Sequence, residues 1–260
     1  MPSISNLPIL SIIIPSFNQL GGLKKTILSF KKQKRTSSYF DFEIIVIDGK
    51  SSDGSEQWIN ENENLISKAI IEKDAGIYDA MNKGVRIAKG KWVWFMGTGD
   101  LPSENWMDLL NVFLKNKHNT HTKLAAFGVH LLPPRESGVP EFYSPTWGPE
   151  IKWKNTIHHQ GVIYSRALFK NNLGSISPFD LRYKVLADYH FHLKLWKNGL
   201  ICDCKNEVLA RVCPGGVSRQ FNKSLYKEER ELKHEVFNSL WSDIIQGIWT
   251  RLKWCSKKIA

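Results

Sequence analysis

Three short apolar runs, Leu10–Pro15 (LSIIIP), Phe42–Ile47 (FEIIVI) and Lys91–Met96 (KWVWFM), show no alternation of apolar and polar positions. A strand with one wet face alternates, whereas a strand covered on both faces reads as a continuous β-branched or aromatic run. Between these runs stand segments of helical period. One carries Leu23, Ile27 and Phe30, another carries Ile77, Met81, Val85 and Ala88 and is closed by Gly90. Strand and helix in alternation predict a doubly wound, mostly parallel α/β sheet flanked by helices. Such sheets bind ligands beyond the carboxyl ends of their strands. The polar clusters of this chain fall at those ends: Ser16-Phe17-Asn18, Asp48, and the turn Gly97-Thr98-Gly99-Asp100.

The remaining elements read less regularly. Ser52-Asp53 predicts an N-cap opening a helix through Trp58, and Ala69–Ile71 a short third strand. Ser103–Lys115 and Val185–Asn198 predict helices, Leu124–Leu131 a strand, and Pro133–Pro149 a Pro/Gly-rich excursion. At 260 residues the chain suits one large domain. We divide it into a catalytic domain over 1–222, with halves 8–115 and 116–222, and a basic amphipathic helical extension over 223–260.

The formal charge of +11 draws the chain toward polyanions without choosing among nucleic acid, anionic lipid and phosphorylated small molecules. Most cations are interleaved with acids, and no nucleic-acid-binding module is recognisable, so no nucleic-acid partner is expected. Four cysteines lack zinc-finger spacing, and no secretory signal precedes them. They predict reduced thiols and a cytoplasmic setting. No apolar run reaches the roughly 20 residues of a membrane-spanning helix. From Leu240, however, Trp241, Ile244, Ile245, Ile248, Trp249 and Leu252 keep helical spacing ahead of Lys253, Lys257 and Lys258. That stripe predicts peripheral contact with an anionic membrane surface on the cytoplasmic side, or a helix packed on the domain.

Asp100 follows a buried strand in a glycine-containing turn, where one carboxylate plus substrate phosphates could hold Mn2+ or Mg2+. An ordinary turn aspartate capping the helix from Ser103 explains it equally well. Asp48 could accept a hydrogen bond from a nucleobase or ribose, or be a loop aspartate. In EKDAGIYDAMNKG (Glu72–Gly84), Asp74, Asp79 and Asn82 could face the cleft while Ile77, Met81 and Val85 face the core.

Four ordered segments, SIIIPSFNQ, EIIVIDGKSSDGS, EKDAGIYDAMNKG and GKWVWFMGTGD, resemble the family 2 glycosyltransferases of GT-A fold over roughly Leu10–Leu110. That resemblance implies an inverting, metal-dependent, hexosyltransferase-like enzyme. Its donor is a nucleotide sugar, a UDP-sugar by default, and its acceptor a glycan or lipid-linked hydroxyl in bacterial surface polysaccharide assembly. It implies a nucleotide pocket lined by Pro15, Ser16, Phe17 and Asn18. Asp48 would meet the base, and Asp74, Gly76, Asp79, Asn82 and Gly99 would stand around the donor. Asp100 would be the last acid of the family's metal motif, although Gly99 stands where many members carry a second aspartate. Asp188 in KVLADYHFHLKLW resembles the catalytic base, with Ala187 where another acid commonly precedes it. His159, Gln160 and Gly216 would border the acceptor side. A sugar nucleotidyltransferase of similar fold is disfavoured, since SFNQLGG brings no cation close behind the first strand. A non-catalytic polyanion binder is the remaining alternative.

Overall fold

A computed structural model describes residues 7–34, 40–115, 122–134, 139–170, 177–214 and 223–238. The first half alternates β1 (Leu10–Ser16), α1 (Leu20–Lys34), β2 (Phe42–Asp48), α2 (Ser55–Glu61), β3 (Lys68–Ile71), α3 (Ile77–Ile87) and β4 (Trp92–Phe95). The second half runs β5 (Leu101–Pro102), α4 (Trp106–Lys115), β6 (Leu124–Leu131), β7 (Phe142–Tyr143), β8 (Val162–Ser165), α5 (Ala187–Lys197), β9 (Cys202–Val212) and α6 (Lys223–Phe237). Among the described residues nine strands form one sheet in the order β3-β2-β1-β4-β8-β6-β9-β5, with β7 paired to β6.

The two halves differ in direction. β3, β2, β1 and β4 are all parallel, as expected of strands joined by crossover helices. Beyond β4 the sheet is mixed: β8 runs antiparallel to both β4 and β6, while β6 and β9 are parallel. Chain order reverses on either side of β1, which puts a crevice at the carboxyl ends of β1 and β4.

Every residue of β1, β2 and β4 is buried, so the missing alternation reports a sheet covered on both faces. One apolar layer joins Ile12, Ile14, Val46 and Trp94 to Leu23, Ile27 and Phe30 of α1 and Trp106 of α4. Phe30 stands edge-on to both Trp94 and Trp106 at 5.4 Å. The other layer joins Ile13, Ile45, Val93 and Phe95 to α3, α5 and α6. Burying a side chain of this size stabilises the fold by about 1.5–3 kcal/mol.

Two local expectations change. The second helix begins at Ser55, behind Gly54 at φ 92°. Asp53 supports it from outside by accepting from the Ser55 amide and hydroxyl, and its other oxygen accepts from Leu20 N–H at the start of α1. These bonds, the Ser55 hydroxyl foremost, hold the Asp53 carboxyl below its usual range. The extension drawn from residue 223 begins as a helix that packs on the domain. Leu232 and Val236 of α6 are buried in the second core layer, and Lys233 donates to the Trp153 carbonyl at 3.0 Å, so α6 is built into the domain. The stripe from Leu240 and the loop containing Gly216 lie outside the described residues. Among the described residues no helix is long and apolar enough to cross a membrane.

Candidate active site

The crevice is assembled from strand-end loops. Ser16 and Asp48 are register partners on β1 and β2, and Pro15 pairs with Ile47 behind them. Asp48 is fully buried. Its Oδ1 accepts from Ser51 N–H at 2.7 Å and its Oδ2 from the Ser51 hydroxyl at 2.8 Å. In this state it shapes the loop and presents no free oxygen. Asn18, at φ 49°, accepts from Ser52 N–H and donates its own N–H to Ser51, tying the β1 and β2 loops together. Phe17 is left 61% exposed. A Cβ on Gly49 would lie 2.8 Å from Asp74 Oδ2 and 3.1 Å from the Phe17 ring, so three loops meet at a residue that only glycine can fill without displacement.

At the start of α3, Asp74 accepts from Gly76 N–H and Asp79 from Ala75 N–H, satisfying amides that a helix N-terminus leaves open. Gly76 adopts φ 120° there. Asp79 also lies 3.6 Å from Lys83 Nζ. Asn82 departs from expectation. It is buried, and its amide closes a two-way clasp on the backbone of Phe179, 2.8 Å to the carbonyl and 3.0 Å from the N–H. The structure thus places it on the Phe179 backbone and not in the open crevice. Ile77 is likewise corrected: it is 44% exposed on the cleft side, and Tyr78 takes the buried position.

Asp100 is 5% exposed. Its Oδ1 accepts from Cys213 N–H at 2.7 Å, its Oδ2 accepts from the Gln160 amide at 3.1 Å, and its carbonyl accepts from Thr26. A Cβ on Gly97 would stand 2.6 Å from Asp100 Oδ2, so this glycine makes room for the carboxylate. Gly99, at φ 92°, receives the Cys213 thiol on its carbonyl. One carboxylate therefore faces the glycine turn, with the Gln160 amide on its Oδ2. The donor set suits a divalent ion only if diphosphate oxygens complete its shell.

Gln160 connects this corner to a cavity of about 280 Å³. Gly97 and Gln160 line it together with Ile77, Tyr78, Tyr143 and Asp188. Asp188 lies in the first turn of α5. Its Oδ1 accepts from the Tyr78 hydroxyl at 2.9 Å and from Tyr189 N–H at 2.8 Å. Burial raises the Asp188 carboxyl above the usual aspartate range, and the two hydrogen bonds pull against that rise. Burial also lifts the Tyr78 hydroxyl well above the ordinary tyrosine range, so it remains a donor. His159, from a 3-10 turn ahead of β8, stacks on Phe95 at 5.1 Å. Burial drops its pKa to about 4, and neither ring nitrogen has a hydrogen-bond partner.

Several residues of this site carried no readable signal. Trp94 Nε1 donates to the Gln160 carbonyl at 2.7 Å and so sets the residue that meets Asp100. Asn155 lines the cavity and its Oδ1 accepts from Nδ1 of His192, whose other nitrogen meets the Tyr164 hydroxyl at 2.7 Å. Tyr78 and Asp188 are 110 positions apart. Only an observed propensity for hydroxyl near carboxylate could have suggested the pair.

A family description, Glycosyl transferase family 2, matches residues 11–130. A PGL/p-HBAD biosynthesis glycosyltransferase of Mycobacterium tuberculosis is 34% identical over 202 residues, covering 74% of this chain and 71% of the relative. The chain belongs to the family 2 glycosyltransferases. A validoxylamine A glucosyltransferase of Streptomyces hygroscopicus is 29% identical over 106 residues, 40% of this chain and 25% of that one. Among solved structures, S. aureus TarS 1-349 in complex with UDP-GlcNAc superposes with TM-score 0.67 at 18% identity, covering 93% of this chain and 70% of TarS. A mannosyltransferase from Pyrobaculum calidifontis, in complex with GDP-Man and Mn2+, gives TM-score 0.58 at 17% identity over 90% of this chain and 64% of that one. These likenesses establish the GT-A architecture of this glycosyltransferase.

Proposed function

We propose that this glycosyltransferase moves a sugar from a nucleoside diphosphate, a UDP-sugar, to a hydroxyl of a glycan or lipid-linked acceptor, with inversion at the anomeric carbon. The single observation supporting this reading is that Asp188 lines a cavity whose wall includes Gln160, the residue that donates to Asp100. The nucleotide occupies the crevice beside Phe17, Asn18 and Asp74, with Asp48 reaching the base once Ser51 yields. Asp100 would hold a divalent cation, Mn2+ or Mg2+, whose charge neutralises the diphosphate leaving group.

Asp188 acts as general base. Its Oδ1 is anchored by Tyr78 and Tyr189, which leaves Oδ2 to take the proton of the acceptor hydroxyl. The acceptor oxygen then bonds to the anomeric carbon as the bond from that carbon to the diphosphate oxygen breaks. The nucleoside diphosphate carries away the electron pair, and attack from the face opposite the leaving group inverts the centre. A raised carboxyl pKa suits this task, since a base with a pKa nearer the working pH accepts a proton more readily. The apolar and aromatic lining by Ile77, Tyr78 and Tyr143 supports an acceptor with an apolar face.

The test is a panel of UDP- and GDP-sugars with and without Mn2+, scored for binding and slow hydrolysis. We expect a UDP-sugar to bind in a Mn2+-dependent way and Asp100→Ala to abolish that dependence. Binding unaffected by both the metal and the substitution would refute the assignment of Asp100.

A further inference from the structure

The structure assigns α6 a part in the site that its distance from the crevice conceals. We propose that Glu228 is a positioning residue for Asp188: its single Oε1 receives both Val185 N–H, at 2.8 Å, and Leu186 N–H, at 2.6 Å. This inference rests on the reading of Asp188 as the base.

A helix leaves its first amides without intrahelical partners, and a carboxylate is the strongest acceptor available for them. In α5 the residue at the N-cap position is Leu186, which has no side chain able to cap. Glu228 supplies the missing acceptor from another helix. The two amides it holds lie two and three residues ahead of Asp188, and the Val185 carbonyl between them accepts from Tyr78 at 2.6 Å. Tyr78 in turn donates to Asp188. Glu228, the Val185 peptide, Tyr78 and Asp188 thus form one chain of hydrogen bonds that fixes where the base points.

A second, separate contact pins the far end of α6 to the domain. Glu235 receives Arg182 at 2.6 Å and Tyr183 at 3.0 Å, and lies 3.0 Å from His190 Nε2 on α5. Asp180, His190 and Glu235 place three ligand atoms close together, but Arg182 bridges both carboxylates and makes this an ion-paired pin. Lys197 of α5 donates to the Val236 carbonyl at the other end of the contact.

Charge adds a second consequence. The groups facing Asp188 are Tyr78 on α3, Tyr143 on β7, Tyr164 on β8, His158 and His159 ahead of β8, and Lys184 ahead of α5, while Glu228 on α6 stands behind the Val185 and Leu186 amides. A carboxylate on those amides offsets part of the positive field that the start of α5 would lend to Asp188. Removing that negative charge makes the Asp188 carboxylate easier to form and moves its protonation to lower pH.

The experiment compares full-length Glu228→Ala, Glu228→Gln and Glu235→Ala in steady-state transfer across pH, with Asp188→Asn alongside. Glu228→Ala is expected to lower kcat by about 10- to 100-fold with KM for donor and acceptor little changed, as for a displaced catalytic group. Glu228→Gln retains an oxygen for both amides, so kcat should recover most of that loss while the acid limb of the pH profile moves to lower pH. Glu235→Ala should lower thermal stability yet keep kcat near wild type. Equal losses of kcat in the Glu235 and Glu228 variants would reduce α6 to a general brace and overturn the proposal. So would an unmoved acid limb in Glu228→Gln, a readout that stands even if Glu228→Ala does not fold. An active Asp188→Asn would instead refute the base reading on which the proposal rests.

Discussion

Replacing Tyr78 with Phe removes one hydroxyl and little else, because the ring stays packed 5.4 Å from Phe179. The lost proton is shared between Asp188 Oδ1 at 2.9 Å and the Val185 carbonyl at 2.6 Å. A hydrogen bond to a charged acceptor contributes roughly 1.5–3 kcal/mol, and one pKa unit corresponds to about 1.36 kcal/mol. The bond favours the ionised form of Asp188 and opposes the rise that burial imposes. Without it the Asp188 carboxyl should climb further above its usual range, by the proton affinity that bond had offset. The base works only when ionised, so the acid limb of kcat/KM shifts upward by the same amount. At a pH below that limb, transfer should fall about 10- to 100-fold, and it should recover on the alkaline plateau. The assay is the pH dependence of kcat/KM for wild type and Tyr78→Phe under saturating metal. An acid limb that stays in place or moves downward would refute the hydrogen-bond chain from Tyr78 to the base.

Gly97→Ala should weaken metal-dependent nucleotide binding by about tenfold or more, since its Cβ would press within 2.6 Å of Asp100 Oδ2 and displace a charge-assisted contact; calorimetric titration of the nucleotide measures this. His159 predicts acid sensitivity of the fold. Its pKa is depressed from 6.5 to about 4, so its contribution to stability is complete above pH 6.5 and is lost as pH falls toward 4. His159→Phe keeps the stack on Phe95 without titrating, and urea unfolding should show its stability falling less than wild type over that window, by up to about 3 kcal/mol.

The parallel half of the sheet was legible because burial on both faces removes alternation, and β1, β2 and β4 carry that mark residue by residue. β9 was not. Its sequence CDCKNEVLARV mixes charges into the strand, and its pairing with β6 slips at Gly128, which breaks any regular period. β5 and β7, two residues each, are too short to carry a pattern. In the candidate site, Asp100 drew notice by its glycine turn and Asp188 by resemblance alone, whereas the residues that hydrogen-bond to them carried no signal. Tyr78 sits inside a block singled out for its acids, and its partner comes from a helix in the other half of the chain. Asn82 shows the converse: an amide beside acids looked ligand-facing, yet tertiary packing turned it onto the Phe179 backbone. Gly216 and the stripe from Leu240 lie outside the described residues. For that stripe, pelleting with anionic liposomes against a chain ending near Asn238 separates membrane contact from packing.

In the proposed reaction Asp188 removes the acceptor proton while a separate corner of the cleft holds the donor. Single-turnover transfer by Asp188→Asn, measured with donor affinity and thermal unfolding on the same preparation, tests it directly. The account predicts donor affinity near wild type, no transfer, and a melting temperature equal to or above wild type. Asn retains the Oδ1 bonds to Tyr78 and Tyr189, and it lacks the buried charge whose cost grows as pH rises through the raised Asp188 pKa. Transfer at the wild-type rate would contradict the account.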